Sequence, residues 1–277
     1  MSSRHTTDRH GPPDQAHGLR RLFAQARLRL VPVVANPHLP FPGVLLERLC
    51  AALAAQGAHT LLVDAADSAP PADALATMDL AQSIERLTPE MSYLAARGLP
   101  LRYVDARGSM AGFLQALADA APRAEVVLVH AGASDLARLF ARQTLVADVV
   151  PLLLADDRPA SVTHAYAGMK WLALRAELGV HHLVLEAAAG SPRATHIAAQ
   201  LARCADTFLG AVLRDWTLVD PAAHALEPPS DALRLLARTL LADPRPGARG
   251  AADARDAARM AGLAPRRATP SSFQALN

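Results

Sequence analysis

The strongest constraint on the fold is an alternation that recurs along the chain. Short runs apolar at nearly every position are each followed by a stretch with helical spacing. The runs are LRLVPVVAN (28–36), HTLLVDAAD (59–67), LRYVDA (101–106), EVVLVHAG (125–132), VADVVPLLLAD (146–156), HHLVLEA (181–187) and AVLRDWTLV (211–219). A strand that is apolar on both sides is covered on both faces, which is the habit of parallel sheets. Helices are expected over 44–57, 109–121, 133 to about 143, 161–179, 191–210 and 231–242, with helical pieces across 72–97 broken near Thr88-Pro89. Gly57 is placed to cap the first of these in a left-handed turn, Ser109 to cap the 109–121 helix, and Ser191-Pro192 to start another. Right-handed crossovers then give an α/β fold: a doubly wound, mostly parallel sheet with helices on both faces. There is no internal repeat.

The two ends read differently. Residues 1–13 are polar and stop at Gly11-Pro12-Pro13. Asp14 is placed to cap a short helix to about Gln25, with Leu19, Leu22, Phe23 and Ala26 on one face and Arg20, Arg21 and Arg27 on the other. Residues 243–277, rich in Pro, Gly, Ala and Arg, read as a mobile basic tail. The expected division is a disordered start plus helix (1–27), an α/β domain (28–242) and the tail (243–277).

Composition narrows the functional classes. With 277 residues, 51% of them hydrophobic, the chain can build a core without staples. Two cysteines, Cys50 and Cys204, exclude a disulfide scaffold and a four-cysteine zinc site, and both fall in apolar helical patterns. A formal net charge of +2 is too mild to argue for nucleic acid. No apolar run reaches the ~18 residues that span a bilayer, and the polar N-terminus does not read as a secretory signal, so a cytoplasmic setting is expected. Among 28 basic residues Lys170 is the only lysine, which removes any mechanism requiring a lysine elsewhere.

In such a sheet, ligands bind at the C-terminal ends of strands. The first strand-to-helix loop runs Asn36-Pro37-His38-Leu39-Pro40-Phe41-Pro42-Gly43. A phosphate loop needs glycines that let N–H groups converge, a lysine and a Ser/Thr hydroxyl; this loop has three prolines and none of the rest. Asp64 and Asp67 end the second strand, and read as solvated acids with capping roles rather than magnesium ligands. His130 stands where a magnesium-binding acid would be expected and reads as satisfied within the crevice. His181 and His182 open a strand, so they point to opposite faces and cannot share a metal. His164 and Tyr166 are explained by capping and packing. No catalytic residue and no metal site is assigned.

Four stretches resemble the MinD/ParA-type ATPases and, among them, the flagellar-number regulators of the FlhG (FleN, YlxH) group. DQAHGLR (14–20) is similar to that group's N-terminal DQAxxLR element, and AALAAQGAHTLLVDAAD (51–67) to the family's first helix and second strand. PLLLADDRPASVTHAYAGMKWL (151–172) resembles the TTPEPTSITDAYALIK segment through Pro159, Ser161, Thr163, Ala165, Tyr166 and Lys170. CADTFLGAVLRDWTLVDPAAHAL (204–226) resembles the C-terminal segment. On this resemblance the phosphate loop falls on Asn36–Gly43, with Pro37 and Pro42 at its lysines and Gly43 at its hydroxyl residue. A DxD acid falls on Ala66, beside Asp67; a later aspartate falls on His130; a base-contacting asparagine falls on Glu186.

The resemblance implies a protein that works with an FlhF-type GTPase of the signal-recognition-particle class. Asp14, Gln15, Ala16, Leu19, Arg20 and Leu22 would form the partner-binding helix. The replaced loop implies a pseudo-ATPase with no cofactor, with weak Mg-ATP binding at Asp64 or Asp67 as one alternative and a non-enzymatic adaptor at the flagellar assembly site as another. Family dimers form around ATP, so a monomer is expected. Membrane contact is expected to be weak or indirect, at most peripheral near the flagellar site, and flagellar basal-body components are candidate partners.

Overall fold

The computed structural model describes residues 28–77, 79–141, 149–223 and 227–242. The helix expected over 14–25, its six partner-binding residues and the 243–277 tail lie outside these residues. The strands are β1 (Arg29–Val34), β2 (Thr60–Asp64), β3 (Glu85–Thr88), β4 (Met91–Ala95), β5 (Val126–Ala131), β6 (Leu152–Asp156), β7 (Val180–Glu186) and β8 (Val212–Val219). They form one sheet in the order β3-β4-β2-β5-β1-β6-β7-β8. Every pairing is parallel except β3 with β4.

The helices are α1 (Pro42–Ala54), α2 (Ala111–Ala120), α3 (Ala133–Leu139), α4 (Pro159–Arg175), α5 (Pro192–Cys204) and α6 (Asp231–Leu241). Alternation along each strand sends side chains into two separate cores. Val31, Val33, Leu128, Leu152 and Leu154 meet Leu45, Leu49 and Leu53 of α1 and Leu233 and Leu236 of α6. Leu61, Val127, Val129, Leu153 and Leu183 meet Phe113, Leu136, Met169, Leu172 and Ile197 from α2 through α5. The doubly wound expectation therefore holds, with α1 and α6 on one face and the other helices opposite. Among the described residues, no helix is long and apolar enough to cross a membrane.

Several local expectations hold in detail. Gly57 takes φ +80° after α1, and the Ser191 hydroxyl accepts from Ala194 N–H at 3.4 Å to cap α5. Ser109 caps from one residue outside the expected position: Met110 is the N-cap of α2, and Ser109 Oγ accepts from Ala111 N–H at 3.2 Å.

Two expectations fail. The stretch read as helical within 72–97 contains short 3-10 turns and the β3–β4 hairpin. Alternating burial at Met91 to Ala95 is the strand period, and Pro89-Glu90 supplies the turn. The run read as a strand at 101–106 begins instead as a 3-10 turn, Pro100–Tyr103. Pro100 fixes the entry to that turn, Tyr103 packs 5.2 Å from Phe113 centroid to centroid, and Leu101 and Val104 stay exposed.

Candidate functional site

Four ionisable side chains lie in a row at the C-terminal strand ends, on the α1 face. In sheet order they are Asp64 (β2), His130 (β5), Asp156 (β6) and Glu186 (β7), with the β1–α1 loop between the second and third. Asp64 and His130 are register partners in the parallel ladder. His130 Nδ1 lies 2.8 Å from Asp64 Oδ1. The carboxylate accepts, so Nδ1 carries the proton. His130 is 2% exposed, and its Nε2 has no hydrogen-bond partner. Asp64 is therefore engaged by a histidine rather than solvated, which corrects the reading of it as a solvated acid; its Oδ1 also accepts from Ala66 N–H at 3.3 Å, a turn contact where a helix cap was expected. Asp67 is exposed, and its carbonyl accepts from Arg97 Nη1 at 3.3 Å. Among the described residues, no group of three His, Cys, Asp or Glu could hold a metal ion.

On the other side of β1, Asp156 and Glu186 are register neighbours. Asp156 binds Arg158 twice: its Oδ2 accepts from Nε at 2.6 Å and its Oδ1 from the backbone N–H at 3.0 Å. The guanidinium also donates to the His38 carbonyl in the β1–α1 loop. Burial, and then the charge of Asp156, hold the Glu186 carboxyl above the ordinary carboxylate range. Its Oε2 has no hydrogen-bond partner.

The loop itself is tied down by its own side chains. Asn36 is buried and its Nδ2 donates to the Leu154 carbonyl at 2.9 Å, the Ser161 carbonyl at 3.0 Å and Ser161 Oγ at 3.0 Å. Its Oδ1 accepts from His38 N–H at 3.1 Å. Ser161 Oγ in turn accepts from Asp156 N–H at 3.0 Å, so β1, β6 and α4 share one polar knot. Leu39, the middle of the loop, is buried in the α1-face core. Pro37 and Pro40 are exposed, Phe41 is 64% exposed, and Pro42 and Gly43 open α1 without a side-chain cap. His38 meets His164 of α4 edge to face at 5.7 Å, the packing role expected of His164.

A polyphosphate cradle has converging N–H groups and free cations around it. Here the loop turns a leucine inward, Arg158 is committed to Asp156, and carboxyl groups stand at the strand ends on both sides of β1, Asp64 on one and Asp156 and Glu186 on the other. The residues present do not fit Mg-ATP in the usual way.

Asp156, Arg158 and the Asn36–Ser161 knot carry the site, and sequence reasoning did not single out the first two. The available signal was Asp156-Asp157-Arg158-Pro159, an acid and a base flanking a proline helix start.

No protein-family pattern matches the sequence, and no curated protein matches it. Solved structures do. An ATP complex of McdA from Cyanothece superposes with a TM-score of 0.54 at 12% identity, covering 79% of this chain and 98% of that one. Cobyrinic acid a,c-diamide synthase from Mycobacterium smegmatis gives 0.52 at 14% identity, over 77% and 94%. MinD in its complex with MinC from Aquifex aeolicus gives 0.51 at 13% identity, over 79% and 98%. The fold is that of the MinD/ParA-type P-loop NTPases.

Proposed function

We propose that the chain is a regulator of flagellar number or placement resembling FlhG, a MinD/ParA-type fold that no longer turns over ATP. It acts by presenting the DQAHGLR helix (14–20) to an FlhF-type GTPase. The observation that carries the loss of ATP chemistry is the closed β1–α1 loop: Leu39 buried in the core, Asn36 knotted to Ser161, and Arg158 held by Asp156 and the His38 carbonyl. Together they fill the loop with contacts made within the chain. The partner role rests on the sequence of the N-terminal element. In that element Asp14 is the residue type to cap a helix, Gln15 to orient a water or backbone group in a partner's site, Leu19 and Leu22 to anchor it, and Arg20 to add a charge. On this reading the protein works as a monomer without a cofactor, in the cytoplasm, with membrane contact weak or indirect.

The test is the GTPase rate of the cognate FlhF-type protein with and without the chain. Stimulation by wild type, lost on deleting residues 1–27 and on the pair Asp14→Ala and Gln15→Ala, supports the reading. Equal rates with and without the chain overturn it.

A further inference from the structure

A second group of reactive residues sits at the opposite, N-terminal end of the sheet. Ser92 on β4 points to the α2 face, as Leu94 does. Its Oγ lies 3.1 Å from Nε2 of His59, the residue just before β2. His59 Nδ1 lies 3.1 Å from the Pro89 carbonyl in the β3–β4 turn. A carbonyl can only accept, so Nδ1 carries the proton and Nε2 presents its lone pair to the Ser92 hydroxyl. The hydroxyl is thus polarised by a base whose tautomer is fixed by a third group, the arrangement an activated serine requires. The Pro89 carbonyl is itself held by Arg86 Nη2 at 3.1 Å.

This pair lines a cavity of about 240 Å³ between the end of α2 and the 81–86 segment. Leu61 and Ile84 give it apolar walls, and Arg123 stands in its lining with no partner among the described residues. A burial-driven serine–histidine contact needs no such opening; this one has room for a short acyl group and a cation beside it.

We propose that Ser92 and His59 form a nucleophile–base pair that takes an acyl group from small activated carboxylic esters. Ser92 Oγ attacks the ester carbonyl carbon while its proton passes to His59 Nε2. Arg123 is the cation available to the resulting oxyanion. The carbon–oxygen bond to the alcohol breaks as His59 returns the proton to the leaving oxygen, leaving an ester on Ser92. Water, deprotonated by His59, then releases the carboxylic acid and restores the hydroxyl.

The experiment uses the full chain with p-nitrophenyl acetate, following nitrophenolate release and mapping the acetyl group by peptide mass. The expected result is an early burst with acetyl on the Ser92 peptide. Ser92→Ala abolishes both, and His59→Gln, which keeps a polar side chain there, slows the burst by about 100-fold or more. Variants are compared by thermal melting, so that a loss with the wild-type melting temperature belongs to the chemistry. Acetylation confined to other positions such as Lys170, or an unchanged burst in either variant, overturns the proposal.

Discussion

Acid should unfold this protein through two histidines on adjacent positions of β7. His181 is fully buried on the α2–α5 side and His182 on the α1 side, at 1% exposure. Neither ring nitrogen of His181 has a hydrogen-bond partner. Burial, with the neighbouring His182 adding to it, pushes His181 down from 6.5 to about 4. Burial also dominates at His182, which is likewise lowered to about 4; Asp215, 3.7 Å away, works against that shift and Arg214 with it. Both rings are therefore neutral in the folded chain at a pH where the unfolded chain binds protons. Stability is full above the unfolded value near 6.5 and falls as pH drops toward 4. Each bound proton costs about 1.4 kcal/mol per pH unit, so by about pH 5 each histidine removes about 2 kcal/mol. The pair together removes about 4 kcal/mol, a large part of the ~5–15 kcal/mol that holds a domain folded. Glu186 acts in the opposite sense: its carboxyl is raised, so protonation favours the folded state and recovers part of the loss. Urea unfolding of wild type and His181→Leu, at pH 7 and at about pH 5, measures the difference. The leucine variant should keep its stability at neutral pH, since no hydrogen bond is lost, and should show about half the acid loss. An acid loss of the same size in wild type and variant would refute the assignment to buried neutral histidines.

Three further outcomes follow from the geometry. Saturating Mg-ATP should leave the melting temperature unchanged, whereas a true site filled at 100 times its dissociation constant would add about 2.7 kcal/mol. Asn36→Ala should cost about 2–3 kcal/mol in chemical denaturation, because it strips buried partners from Ser161 and the Leu154 carbonyl. Gly168→Ala on α4 should lower stability by about 1–2 kcal/mol despite alanine's better helix propensity, since the new Cβ would stand 2.9 Å from Val34 Cγ1.

The core strands were legible because each is a run of β-branched and leucine residues buried on both faces. Val126 to Ala131 is the clearest, apolar but for His130 and buried throughout. The hairpin was not legible for the converse reason. Glu85 to Thr88 is wholly exposed, and Met91 to Ala95 alternates over only a few positions beside a 3-10 turn. At the site, the three prolines of Asn36 to Gly43 were plain in the sequence, and the contacts made around them were not. The Asp64–His130 pair depends on β2 lying beside β5 in one register, and the Asn36–Ser161 knot joins residues 125 positions apart. Hydrophobic periodicity identifies strands and says nothing about which of them become neighbours.

On the proposed reading, the contacts that close the loop supply what a bound nucleotide would. A phosphate loop of glycines and free N–H groups leaves backbone donors to be met by its ligand. Here proline removes donors at positions 37, 40 and 42. Asn36 supplies the turn with a side-chain acceptor for His38 N–H, and Arg158 meets the His38 carbonyl. Leu39 adds apolar burial that a glycine could not. The substitutions are therefore coupled. Placing a lysine at Pro42 alone would leave Leu39 in the core, Arg158 on Asp156 and His130 on Asp64. On that reading, accommodating a nucleotide would mean undoing contacts from β1, β2, β5, β6 and α4 together.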